Sequence, residues 1–208
     1  MIDKFFDSNN LIWRGMDKIF DVFILNSLWL LCCLPIFTIG PSTIAFYYSM
    51  INLIYGEEKS ISKDFFYSFK QNFKQGISLG LLLTIIGIFL IADVFMCYKS
   101  GTGIYTFFMA FFLILFFLWA FIALYSFPLL AKFDKTNKDI LIWAFVLSMK
   151  HVGRTILMLI LPVVGIWLCH ILHGLIFIAF GLVGEFQVIL MCPILKPYLP
   201  DTESEDTV

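Results

Sequence analysis

Two carboxylates, Asp93 and Glu185, sit well inside apolar stretches of this chain. A charge at the centre of a bilayer costs roughly 2.5 to 3.5 kcal/mol on insertion scales, so each needs a reason to be there, and proton or substrate coupling is the first to weigh. Asp93 precedes Lys99 by about one and a half turns of a helix, so it can also be a residue near the outer interface that reaches water. Glu185 has Gln187 close by and no Lys or Arg at matching depth. It therefore reads as protonated or hydrogen-bonded to another helix, with a structural polar lock, a proton-linked role and a partner contact all open. His170 and His173 share a helix face with Cys169 adjacent, which makes half a metal site. Zinc normally takes three or four ligands, and capping of a tight turn is the plainer reading. We expect no metal and no cofactor. The chain has no nucleophile elbow, phosphate loop, paired carboxylates or metalloprotease motif, so an enzyme is not expected.

The elements that must position these residues are those of a membrane protein. Of 208 residues, 61% are hydrophobic and 14% charged, with a mean hydropathy of +0.93, far from the balance of a soluble domain. Short loops between apolar runs leave one membrane domain, 1–208, and nothing in the charge pattern suggests nucleic acid. The expected class is all-α: a polytopic helical bundle of about six membrane segments with interfacial amphipathic helices. Residues 1–20 read as an interfacial helix, retained rather than cleaved because Asp3, Asp7 and Asp17 lie among its basic residues. Residues 21–55 form a broken hairpin, 62–75 an amphipathic helix, 76–131 a second hairpin, 136–150 another amphipathic helix opened by a Thr136 and Asp139 cap, and 154–195 a third hairpin. An acidic tail, 200–208, closes the chain.

The break at Pro35, Thr38, Gly40 and Pro41 decides the topology. An unbroken helix from Asp21 to Tyr55 would be about 50 Å long, against a hydrocarbon core of about 30 Å. Pro41 suits a helix first turn, and Ser42 and Thr43 are candidate caps. If the run folds back, thirteen of the fourteen Lys and Arg residues fall on one face and only Lys99 on the other, the asymmetry expected of a cytoplasmic side. This places both termini in the cytoplasm and residues Thr38 to Pro41 at the outer side. Asn26, Thr38, Ser42 and Thr43 are available to hydrogen-bond between helices, and Gly76 with Gly80 is a small-residue pair suited to close helix contact, within one chain or between subunits of a homo-oligomer. Residues 68–89 also echo 146–167, each a basic amphipathic lead-in followed by a span.

The stretch Asn26 to Leu30, Leu34 to Pro41 and Ala45 to Tyr48 resembles the opening hairpin of the YesL-like family of bacterial membrane proteins, and Phe65 to Gln75 resembles its next segment. The resemblance implies a cell-membrane protein of a Gram-positive bacterium, accessory to carbohydrate ABC import or its regulation, with the lipid bilayer and transporter subunits as partners. It supplies no catalytic residues. A small secondary transporter or channel using Asp93 or Glu185, and a structural membrane-organising protein, are the alternatives.

Overall fold

The computed structural model describes residues 11–56, 60–101, 103–171 and 176–198; side chains are described within these except at 11–17, 19, 166, 168–171 and 176–182. The expected interfacial segment before residue 11, His173 and the acidic tail lie outside the described residues. The described chain is all-α: α1 (Leu11–Cys33), α2 (Ile39–Tyr55), α3 (Ile61–Gln71), α4 (Phe73–Ser100), α5 (Gly103–Lys132), α6 (Asn137–Lys150), α7 (Val152–Ile171) and α8 (Ile176–Leu195), with short 3-10 turns at Ile36–Thr38 and Lys196–Tyr198.

Two of these helices, α4 and α5, are by themselves long and apolar enough to cross a membrane. A third span is added if α6 and the stretch Val152–Gly165 of α7, bent by 103° at their junction, are taken as one. The expectation of six segments is therefore met, among the described residues, by two to three.

The apolar run breaks at residues 34–38. The Thr38 hydroxyl lies 2.6 Å from the carbonyl oxygens of both Cys32 and Pro35 and donates to one at a time, covering backbone acceptors that the end of α1 leaves open. Helix α2 then begins at Ile39, earlier than the caps expected at Ser42 and Thr43. Proline costs nothing in a first turn, where its missing N–H has no partner to lose, so Pro41 sits inside the helix and Thr43 becomes an interior residue that donates to the Ile39 carbonyl at 2.7 Å. At its other end α2 stops at Gly56, whose φ of 74° is the left-handed conformation that glycine adopts without steric cost.

Helix α2 is the centre of the molecule and touches α1, α3, α4, α5 and α8. Its first turn packs backbone to backbone on α4. A Cβ added to Gly76 would fall 2.9 Å from Cα of Pro41, and one added to Gly80 would fall 3.1 Å from Cα of Gly40. The small-residue pair on α4 thus makes its close contact inside the chain. This contact also corrects the depth of the break. Gly76 and Gly80 belong to the opening turns of α4, and α2 runs from there toward Asn52, which meets Lys132 at the end of α5. From Gly80 to Ser100 about 30 Å of α4 remain at ~1.5 Å per residue. The break therefore seats at the Lys74 end of the α4–α5 pair and does not reach the Lys99 end, where the expected outer position would put it.

The remaining 30 Å of the pair stand bare. Ile88, Phe89, Met96, Ile104 and Phe107 are between 64% and 73% exposed. The two helices are held to each other by the Trp119 indole, whose Nε1–H donates to the Leu83 carbonyl at 3.0 Å and whose ring lies on Gly87.

Helix α3 departs from a purely interfacial role. Its residues Ile61, Phe65 and Ser68 are buried, and Phe69 stacks on Phe65 with centroids 6.1 Å apart. The apolar side of α3 is satisfied by α2 and α1, while Phe66 stays outside. Both amphipathic helices join the next helix through a one-residue hinge. The Asn72 N–H bonds the Ser68 carbonyl and the Asn72 carbonyl accepts from Gly76; His151 does the same with Leu147 and Thr155. The echo between 68–89 and 146–167 thus shares a hinge. At the second hinge desolvation holds the His151 imidazole below its ordinary pKa, and the cations Lys150 and Arg154 push the same way.

Candidate functional site

A half-open cavity of about 200 Å³ lies between the broken hairpin and the last two helices. From the hairpin come Asn26, Trp29, Thr43, Phe46 and Tyr47; from α7 Pro162; from α8 Val183, Gly184 and Gln187. The elements close on one another because Gly184 offers no side chain: a Cβ there would fall 2.5 Å from the Phe46 ring.

The polar groups at this cavity are bonded to protein. Tyr47 donates to Gln187 Oε1 at 2.6 Å, and the Gln187 amide reaches the Met158 carbonyl at 3.5 Å. Trp29 Nε1–H donates to Thr43 Oγ1 at 3.4 Å, and Asn26 donates to the Val22 carbonyl at 2.9 Å. Among the described residues that line the cavity, none carries a charge. Such a site can hold an apolar body and offer one or two hydrogen bonds.

A second polar cluster staples the other end of α2. The Lys132 ammonium donates to Asn52 Oδ1 at 2.7 Å, Asn52 Nδ2 donates to Asp64 Oδ2 at 3.4 Å, and Lys132 lies 5.3 Å from the Tyr48 ring centroid. Asn52 is buried and presents its two ends to a cation and a carboxylate. Helices α2, α3 and α5 meet at this amide.

The structure separates the residues on which chemistry was expected. Asp93 is half-buried in the bare half of α4, with Oδ2 enclosed and without a hydrogen-bond partner. It lies about 20 Å further along α4 than Gly80, whereas Glu185 is half-buried on α8 beside Gly184, against the hairpin. They do not form a paired site. Pro35 is exposed, and Thr38, Gly40 and Pro41 are buried in the joint with α4, where they shape backbone and do not line the cavity beside α2. The side chain of His170 and the whole of His173 lie outside the described residues; among those described, no group of three His, Cys, Asp or Glu is placed to hold a metal. The residues missed from sequence were Tyr47 and Asn52. An amide in an apolar run is the signal that singled out Asn26, and it applied equally to Asn52.

A family model described as a protein of unknown function, DUF624, matches residues 22–94, from α1 through most of α4. The uncharacterized protein YteU of Bacillus subtilis (strain 168) is 30% identical over 156 residues, covering 73% of this chain and 69% of YteU. The chain belongs to the DUF624 family. No solved structure matches it. The stretch matched by the DUF624 model contains the hairpin side of the cavity, the Asn52 amide and the three glycines of the α2–α4 joint; Pro162 and Gln187 lie beyond it.

Proposed function

We propose that this DUF624 protein is a YesL-like, non-enzymatic, multi-pass subunit of the cell membrane that serves a carbohydrate ABC importer or a related membrane complex. Both termini lie on the cytoplasmic face. Helices α4 and α5 cross the bilayer as a pair, α7 and α8 as another, and α1–α2 enters from and returns to the basic face. A hairpin that returns without crossing keeps the same thirteen-to-one division of basic residues that favours a cytoplasmic placement.

The observation that carries the non-enzymatic reading is the cavity beside α2, where the Tyr47 hydroxyl, the Gln187 amide and the Trp29 indole are bonded to neighbouring helices and the described lining residues are uncharged. Polar groups used this way hold a bundle together. The bare half of α4–α5 supports the membrane placement, and the resemblance of residues 26–75 to the YesL-like family directs the choice of partner. Purification in mild detergent from the native host grown on an inducing sugar is expected to recover transporter subunits with the protein. Recovery of the protein alone counts against the accessory role.

One observation favours a transporter instead, the enclosed and unpartnered Oδ2 of Asp93 in a segment otherwise free of charge. That reading requires reconstituted flux that falls on Asp93→Asn or Glu185→Gln. Flux indifferent to both removes it.

A further inference from the structure

The outward side of α3 carries a pattern that the packing of the bundle does not use. At about 100° per residue, Lys63 and Lys70 project within roughly 20° of one another on α3, flanked by Phe66 and Tyr67, and Lys74 follows just beyond the Asn72 hinge. All five are exposed, Phe66 at 43% and Tyr67 at 59%. The opposite side, Ile61, Phe65 and Ser68, is buried in the protein, so α3 is held with its basic stripe facing away. The stripe continues across the Asn72 hinge onto Lys74 in the first turn of α4, the helix that enters the bilayer in the reading above. Two ammonium groups flanked by exposed aromatic rings, with a third at the mouth of a spanning helix, match the chemistry of the headgroup layer. The rings suit the interface and the ammonium groups suit phosphate.

We propose that this face of α3 binds the headgroups of anionic phospholipids in the membrane that holds the protein. The proposal rests on the membrane placement given above and not on the sugar-import role. Each lysine near an anionic surface contributes about fivefold, so the three together are worth on the order of 100-fold in preference for an anionic over a zwitterionic lipid.

The full-length protein purified in neutral detergent, titrated with phosphatidylglycerol or phosphatidylcholine and followed by native mass spectrometry, tests this directly. The wild type should retain phosphatidylglycerol at concentrations where phosphatidylcholine is lost. The triple variant Lys63→Gln, Lys70→Gln and Lys74→Gln should lose most of that preference, and the matching Lys→Arg triple should keep it. A control triple, Lys135→Gln, Lys138→Gln and Lys150→Gln, should leave most of it in place. Glycerol phosphate should not compete at lipid concentrations, since a site for a free phosphate would lack the contribution of the rings. Equal retention of the two lipids by the wild type, or equal preference in the wild type and the Gln triple, overturns the proposal. If the protein is stripped from membranes by alkaline carbonate, the placement on which it rests has failed instead.

Discussion

Helix α2 and the far half of the α4–α5 pair are both strongly apolar, and they meet opposite fates. Every turn of α2 carries residues enclosed by other helices, while Ile91, Phe95, Met96, Ile104, Phe107 and Phe111 face outward on the other two. Hydrophobicity does not separate them. What does is the presence in α2 of small and polar residues, Gly40, Ser42, Ser49 and Asn52, against a run of Phe, Leu and Ile in α5. In a bilayer an apolar side chain gains little by leaving lipid for protein, so helices associate through close backbone approach and through hydrogen bonds. The joints of α2 with α4, α5 and α8 each use a contact of one of those kinds.

This contrast can be broken experimentally, and the largest effect is expected where backbones touch. Gly76→Ala places a Cβ 2.9 Å from the backbone of Pro41, which cannot rotate away. It should cost about 2 to 3 kcal/mol in unfolding from bicelles, whereas Gly103→Ala, with open space around it, should be close to neutral. Equal stabilities would mean that α2 is not seated on α4.

A smaller loss is expected at the amide staple. Asn52→Leu removes the acceptor of Lys132 and the donor to Asp64 and should cost about 1 to 2 kcal/mol. The same loss in a Lys132→Met background would show that the two side chains do not act together.

The smallest effect belongs to the bare half. Phe107→Ala, at a side chain 73% exposed, should change stability in bicelles by no more than about 0.5 kcal/mol. A loss as large as that of Gly76→Ala would reveal a protein partner on this surface and would erase the distinction between the two regions.

Much of this was legible in the chain. Periodicity and length brought out α4 and α5, and a threonine followed by an aspartate three residues on gave the cap of α6, where Thr136 Oγ1 accepts from the Asp139 N–H at 3.4 Å. The small-residue pair at Gly76 and Gly80 was visible as a contact surface, but its partner was not, since nothing in local spacing says which backbone will fill the notch. The depth of the break was hidden for the same reason. Charge placement reports the side on which a hairpin ends and is blind to how far it travels between, so Thr38 was set at the far face when it lies only two turns into α4. What covers the phenylalanines of α3 was hidden, because a line of phenylalanines reads alike whether lipid or a neighbouring helix lies against it. The cavity was out of reach, because Tyr47 and Gln187 are bonded across 140 residues of chain.

The turn that joins α4 to α5 bears on how such a molecule is made. Helix α4 closes on Gly101 with φ 63°, α5 starts at Gly103, and the nearest charge, Lys99, lies 4.9 Å from the Phe95 ring centroid. The tip of the pair is therefore short and nearly neutral. During synthesis the two helices can be delivered to lipid as one unit, tip first, with one ammonium group, the Asp93 carboxyl and a few hydroxyl and amide groups as the polar cargo to be moved across.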